Sequence, residues 1–352
     1  MARRPDAGFR RRRRGRARYE RPLCNQQRRE QSIRHNDNPG AGMNKVGRNT
    51  DDMNIVVIGL GQMGGNMAMT LHAAGFTVTG TDVADAARDN LAARGLSVTP
   101  LDALPEADVY LLSLPTSAHV REVIETSPGL LQRAPRGSVI VDTSTSDPAV
   151  TRALAGKVVE AGLEWLDAPV SGGPAGAASG ALGMLLGGES ASIARLAPML
   201  EAMSARHTHV GPAGSGHVVK LANNYLCAAH LITTAEAVTL AARAGVDPAA
   251  CLAGLNSSSG RSAVSEVNFP KWILSDAFDS GFTTGLMRKD LRLARDAAND
   301  MGLPLELLER VVARWHDDAA GLPDAADFNR ITDTILAQAR TDAPFANQEE
   351  TR

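Results

Sequence analysis

Two stretches of this 352-residue chain carry residue types and spacings suited to chemistry. The first is Gly59-Leu60-Gly61-Gln62-Met63-Gly64, preceded by the apolar, β-branched run Asn54 to Ile58. Gly65 to Ala74 follows, with Met67, Leu71 and Ala74 at helical spacing and Gly75 as the stop. A strand, a Gly-x-Gly-x-x-Gly turn and a helix together make a site for a dinucleotide. Gly59 permits the tight turn, Gly61 the approach of backbone N–H groups to a pyrophosphate, and Gly64 close packing of helix on strand. The helix N-terminus favours the anion. A second strand, Phe76 to Thr81, ends at Asp82. A carboxylate there accepts hydrogen bonds from ribose hydroxyls and repels a 2′-phosphate, so NAD is expected rather than NADP. The residues after it, Val83, Ala84 and Asp85, include no arginine for such a phosphate.

The second stretch is Gly214-Ser215-Gly216-His217-Val218-Val219-Lys220-Leu221-Ala222-Asn223-Asn224. It opens a run from His217 to Ala244 without Gly or Pro. Such a helix would be ~40 Å long at 1.5 Å per residue, enough to run from one domain into another. Lys220 and Asn224 are four residues apart and share a face. A lysine beside an amide suits a general acid/base with a substrate-orienting partner, although exposed lysines are far more often plain surface residues.

The elements that must position these groups alternate. Ala84 to Arg94 reads as a helix, and Ala107 to Leu114 and Ser138 to Asp142 as buried strands. Asp147-Pro148 caps a helix reaching Ala161. Leu163 to Val170 and Leu182 to Leu186 are further strands. Alternation of this kind predicts a parallel sheet with right-handed crossovers and a ligand crevice at the carboxyl ends of its strands. Three strand ends face that crevice: Gly59–Gly64, Leu114-Pro115 and Thr143-Ser144-Thr145. After Gly211 only helices are read, over Ala249 to Leu255, Thr284 to Met301, Leu305 to Ala319 and Ala326 to Ala339. The fold class is therefore α/β: an N-terminal doubly wound Rossmann-type sheet (53–213), a long interdomain helix and an all-α C-terminal domain (214–340).

Residues 1–52 carry a net charge of +9 and the remainder −11. The leader, with Arg10 to Arg14 in one run, has too little apolar surface to order itself. It reads as an Arg-rich segment outside the working protein; the alternatives are a targeting peptide, against which Asp6, Glu20 and Glu30 argue, or a tail for nucleic acid or an anionic surface. Residues 341–352 read as a frayed tail. The acidic globular part implies no nucleic acid, and no apolar run reaches the ~18 residues of a membrane span. Cys24, Cys227 and Cys251 are scattered, with neither metal spacing nor a disulfide framework, which suits a reducing, cytoplasmic location.

From about Met53 to Ala339 the chain resembles the β-hydroxyacid dehydrogenases, the group of 3-hydroxyisobutyrate dehydrogenase and tartronate semialdehyde reductase. The resemblance rests on five segments in the family's order: the glycine motif, Asp167-Ala168-Pro169-Val170-Ser171-Gly172-Gly173, Gly214 to Asn224, Ser258-Ser259-Gly260-Arg261-Ser262 and Lys289-Asp290-Leu291. It implies Lys220 as the catalytic lysine, Asn224 as the substrate-orienting amide, and Ser171, Gly172 and Gly173 as the substrate-carboxylate loop. Gly59, Leu60, Gly61, Gln62, Met63, Gly64 and Asp82 would hold the cofactor, Leu114, Pro115 and Thr145 would line the nicotinamide ribose, and Lys289 would close the cofactor site. His119 stands where some relatives carry Asn, and reads as a surface helix residue. The implied reaction is hydride transfer between NAD and a small β-hydroxy acid or aldehyde acid, without a metal, in a homodimer or homotetramer. 3-Hydroxyisobutyrate is the foremost substrate, and reduction of tartronate semialdehyde or a related aldehyde acid the alternative. Imine reductases share the scaffold but generally lack the lysine. A non-enzymatic NAD-binding module is the alternative from another class. Side chains around Ser257–Ser262 and Phe282 would decide the substrate.

Overall fold

The computed structural model describes residues 53–126, 128–318 and 321–340; the expectations for the leader (1–52) and the tail (341–352) lie outside the described residues. The strands are β1 (Asn54–Ile58), β2 (Thr77–Thr81), β3 (Ser97–Val98), β4 (Val109–Leu112), β5 (Val139–Asp142), β6 (Glu164–Asp167), β7 (Val170–Ser171), β8 (Leu182–Gly188) and β9 (Ser204–Gly211). They form one sheet in the order β3-β2-β1-β4-β5-β6-β8-β7, with β9 also paired to β8. From β3 to β6 every pairing is parallel. The order reverses between β1 and β4, which places a crevice beyond Ile58 and Leu112. Strands β4 and β5 are buried throughout, and continuous apolar runs are what a sheet covered on both faces requires.

The expected parallel sheet holds from β3 to β6, and the far side departs from it. β8 runs antiparallel to both β6 and β7. One register continues through both, from Leu166 opposite Gly188 to Ser171 opposite Gly183. β6 and β7 are thus one line of pairing interrupted at Ala168-Pro169, where proline has no N–H to donate. Only the segment containing the short helix Gly173–Ala178 joins β7 to β8. A connection of that size returns the chain antiparallel, since parallel neighbours need a crossover of about a dozen residues or more.

One face of the sheet packs against the helix Gln62–Ala73 through Met67 and Leu71, with Leu182, Met199 and Leu200 in the same cluster. The other face is filled by Tyr110, Ile124, Ile140, Leu154 and Trp165. The long helix runs Ser215–Arg243. Its length and mean hydropathy would suit a membrane span. However, Lys220 and Asn224 are buried against the protein, and Leu231, Ala235 and Val238 belong to a separate helical core with Phe269, Met287, Leu291 and Trp315. The helices after it are Pro248–Asn256, Thr284–Asp300 and Glu306–Ala313. Two details depart from the sequence reading. Val264–Ile273 is a wide-turned helix containing Pro270. The helix expected over Ala326 to Ala339 is broken into tight turns at Phe328–Thr332 and Ala337–Arg340 around Asp333–Leu336.

Candidate active site

The glycine loop leaves room where a pyrophosphate would lie and none elsewhere. Gly59 has φ +93°, and a Cβ on it would stand 2.3 Å from the Ser113 carbonyl oxygen. A Cβ on Gly64 would stand 1.9 Å from the Gly59 carbonyl oxygen. Around Gly61 nothing lies within 4 Å of that position. Gly61 also caps the helix Gln62–Ala73 without a side-chain bond, so first-turn N–H groups at Gln62 and Met63 are left to an anion. The Asp82 carboxylate is held at the end of β2 by the N–H groups of Leu60 (2.7 Å) and Ala84 (2.9 Å). Arg88, beyond the span read for a phosphate-binding arginine, folds back to donate to the Asp82 carbonyl and pair with Asp85. These residues fit a dinucleotide with free ribose hydroxyls.

The strand ends are tied to one another and to the helical half. Leu114 N–H donates to Ser144 Oγ (3.0 Å), joining the ends of β4 and β5. Lys289, on the helix Thr284–Asp300, donates from Nζ to the carbonyl oxygens of Pro115 (3.2 Å) and Thr145 (3.4 Å). His119 is exposed and bonds Thr116 Oγ1 through Nδ1 at 2.7 Å, as fits a surface residue in the first turn of a helix.

At the far side of the crevice, Lys220 Nζ donates to Ser171 Oγ at 3.0 Å. Gly172 (φ +122°) and Gly173 (φ +63°) turn the backbone through conformations that favour glycine. Asn224, one helical turn beyond Lys220, donates from Nδ2 to Asp290 Oδ2 at 2.6 Å. Asp290 Oδ1 lies 3.4 Å from Lys289 Nζ. Burial pushes the Lys220 ammonium below its ordinary pKa, with Lys289 adding to the effect and Asp290 and Cys227 opposing it. Burial pushes the Asp290 carboxyl up, against the pull of Lys289, Lys220 and the Asn224 bond. Both groups are thus driven towards their neutral forms.

The structure therefore links Lys220 to Ser171, Asn224 through Asp290 to Lys289, and Lys289 to the ends of β4 and β5, with the glycine loop and Asp82 on the sheet side. Asp290, to which the sequence reading gives no role, joins this group through Asn224 and Lys289. Its signal was an aspartate among Met287, Leu291 and Ala298, the buried stripe of an amphipathic helix. Of the expected specificity positions, Phe282 packs edge-on against Phe328, and the neighbouring Gly281 lies against Pro174 of the Ser171 loop. Ser262 bonds locally, its N–H donating to Ser265 Oγ at 2.9 Å.

Two family models match. Residues 54–211 match the NAD binding domain of 6-phosphogluconate dehydrogenase, and residues 214–335 the NAD-binding domain of NADP-dependent 3-hydroxyisobutyrate dehydrogenase. The chain is 38% identical to the NAD-dependent L-serine dehydrogenase of Pseudomonas aeruginosa over 69% of this chain and 85% of that protein. It is 37% identical to human mitochondrial 3-hydroxyisobutyrate dehydrogenase over 71% of this chain and 77% of that one. Among solved structures, Mycobacterium tuberculosis 3-hydroxyisobutyrate dehydrogenase with L-serine superposes with a TM-score of 0.75 at 32% identity. It covers 80% of this chain and 99% of its own.

Proposed function

The chain belongs to the β-hydroxyacid dehydrogenase family, and from that premise we propose that Lys220 exchanges the proton while a hydride passes between NAD and a small β-hydroxy acid. The enzyme is an NAD-dependent hydroxyacid dehydrogenase of the 3-hydroxyisobutyrate type. The observation carrying the assignment of Lys220 is its buried Nζ, 3.0 Å from Ser171 Oγ. This is a desolvated amine beside a hydroxyl on a glycine-rich loop suited to an anion.

Bound between the glycine loop and the ends of β4 and β5, NAD would supply the hydride acceptor. Asp82 would receive the ribose hydroxyls, and Leu114, Pro115 and Thr145 would line the nicotinamide side, with Lys289 spanning the last two. Ser171 Oγ and the N–H groups of Gly172 and Gly173 hold the substrate carboxylate. Asp290 takes one amide hydrogen of Asn224 and so fixes that amide towards the substrate. In oxidation the neutral Lys220 Nζ takes the proton from the substrate hydroxyl; in reduction its ammonium returns a proton to the aldehyde oxygen. A free lysine with pKa ~10.4 would be protonated at neutral pH, so the burial of Lys220 is what makes it usable as a base.

In this reading, residues 53–213 hold the cofactor, residues 214–340 supply Lys220, Asn224 and Lys289, and the protein works as a cytoplasmic homodimer or homotetramer. 3-Hydroxyisobutyrate is the foremost substrate. L-serine is the second, because a relative at 38% identity is an L-serine dehydrogenase and a neighbour at 32% identity was solved with L-serine. Reduction of tartronate semialdehyde remains the reverse-direction alternative. The test is a spectrophotometric screen of 3-hydroxyisobutyrate, L-serine, glycerate and related acids with NAD and with NADP, and of the aldehyde acids with the reduced cofactors. NAD binding with no turnover of any of them would leave a non-enzymatic NAD-binding module and overturn the proposal.

A further inference from the structure

The first turn of the long helix carries a second buried polar side chain, three residues before Lys220. His217 is 0% exposed and reaches across to the sheet half. Its Nε2 donates to the Ser144 carbonyl oxygen at 3.0 Å, and its Nδ1 meets Thr151 Oγ1 at 2.8 Å, on the helix Pro148–Glu160. A carbonyl oxygen can only accept, so Nε2 carries a hydrogen. The threonine hydroxyl, which also reaches the Asp147 carbonyl oxygen at 3.1 Å, can either donate to Nδ1 or accept from it, and Nε2 is the donor to Ser144 in both cases.

Ser144 is the residue through which the strand ends are tied together. Its Oγ accepts from Leu114 N–H (3.0 Å), its N–H donates to Asp142 Oδ1 (2.9 Å), and Asp142 Oδ2 also accepts from Ser146 Oγ (3.0 Å). The residues next to this junction, Pro115 and Thr145, are the two that Lys289 spans. Asp167, at the end of β6, receives the N–H groups of Gly214 (2.7 Å) and His217 (3.2 Å), and so fixes the start of the same helix. His217 thus stands between the backbone that lines the nicotinamide side and the helix turn that holds the proton-transfer lysine.

We propose that His217 is a positioning residue that sets the distance between the hydride-transfer plane and Lys220 by holding the Ser144 carbonyl against the long helix. The inference rests on the assignment of Lys220 and of the β4 and β5 ends made above. Its consequence is specific. Loss of the Nε2 donor lets the Leu114–Ser144 junction drift while the glycine loop, Asp82 and the Ser171 loop stay in place. Chemistry then slows, and binding does not.

The test compares His217→Gln, His217→Asn and His217→Leu in the full chain. A glutamine amide can place an N–H where Nε2 stands; asparagine is too short to reach Ser144 but can still face Thr151. Both replace one buried polar group by another, so the pair separates position from polarity. The readouts are kcat, KM, NAD affinity and the primary deuterium isotope effect on kcat, using substrate deuterated at the carbon that yields the hydride. His217→Asn and His217→Leu should lose about 10- to 100-fold in kcat, the range expected of reacting groups misplaced by up to ~1 Å. KM and NAD affinity should stay within about threefold, and the isotope effect should rise as hydride transfer becomes limiting. His217→Gln should recover most of the lost rate. If His217→Leu does not fold, the glutamine and asparagine variants decide the matter alone. Equal rates in those two, or a loss confined to NAD affinity or KM, would overturn the inference. An active native enzyme with unimpaired variants overturns this inference only, whereas a native enzyme inactive on every acid overturns the functional reading and this inference with it.

Discussion

Lys220 owes its proposed role to burial. Desolvation lowers its pKa from the ordinary lysine value, with Asp290 and Cys227 pulling the other way. The sign for catalysis follows. Oxidation needs the neutral amine, so kcat/KM for the hydroxy acid should rise with pH through a single pKa lying below ~10.4. Lys220→Arg keeps the charge but holds its proton at any working pH, so its kcat should fall by about the ~10²–10⁴-fold that general acid–base catalysis contributes, with NAD affinity retained. Steady-state kinetics across pH check both statements, and a near-normal kcat in Lys220→Arg would reassign the proton to another group. In the proposed reading cofactor choice rests on Asp82, whose carboxylate is fixed by the N–H groups of Leu60 and Ala84. Val83 is 82% exposed, so an arginine there would meet solvent and phosphate rather than core. Asp82→Ser with Val83→Arg should therefore move the ratio of kcat/KM for NADP over NAD upwards. A native ratio already favouring NADP would refute the role of Asp82. At this scale the sequence was legible wherever a residue sat in a local pattern, as Gly59–Gly64 and Lys220 with Asn224 do. Asp290 and His217 were not assigned roles, because the property that marks them is burial of a polar group, which long-range packing creates.

The glycine loop divides its labour between fitting the fold and admitting the ligand, and the two jobs can be separated. Gly61 sits at φ −64° and ψ −170°, a conformation open to alanine, with empty space around it. Gly61→Ala should leave the melting temperature unchanged or slightly raised, while NAD affinity falls as the methyl group takes up the pyrophosphate approach. Gly64→Ala puts a methyl group into the Gly59 carbonyl. It should destabilise the fold by roughly 1–3 kcal/mol, as overpacking does. Calorimetry and NAD titration of the two variants should give opposite patterns, and a parallel loss of stability in both would refute this division. The same contrast between local and long-range causes explains which elements could be read. Strands β1, β4 and β5 announce themselves by unbroken apolar runs. β9 reads Ser-Ala-Arg-His-Thr-His-Val-Gly, is exposed at half its positions, and is a strand because β8 offers it a backbone partner. Val264–Ile273 hides behind Pro270, which argues against a helix locally, while Val264, Phe269 and Ile273 are buried in the helical core.

At the scale of the whole molecule, the long helix carries Lys220 and Asn224 and packs on both the sheet half and the helical half. Its first turns lie against the sheet: a Cβ on Gly216 would stand 2.6 Å from the Leu185 carbonyl oxygen. Its later turns place Leu231, Ala235 and Val238 in the helical core. Helix formation is cooperative, so a helix whose first turns pack on the sheet and whose middle lies in the helical core should couple the unfolding of the two halves. Two tryptophans report on the two cores: Trp165 is buried beneath the sheet, and Trp315 is buried in the helical core with its Nε1 towards the Ala228 carbonyl of the long helix at 3.4 Å. The third, Trp272, can be replaced by phenylalanine to leave them distinct. Single-tryptophan variants carrying Trp165 or Trp315 should show coincident urea transitions. Leu231→Ala, at a position 0% exposed, should lower both midpoints together by the equivalent of about 2–5 kcal/mol, although Trp165 lies in the other core. Two transitions, with only the Trp315 signal moved by Leu231→Ala, would mean that the halves fold independently. The geometry between Lys220 and the strand ends would then depend on the contacts made by Lys289, Asp167 and His217 rather than on a shared helix.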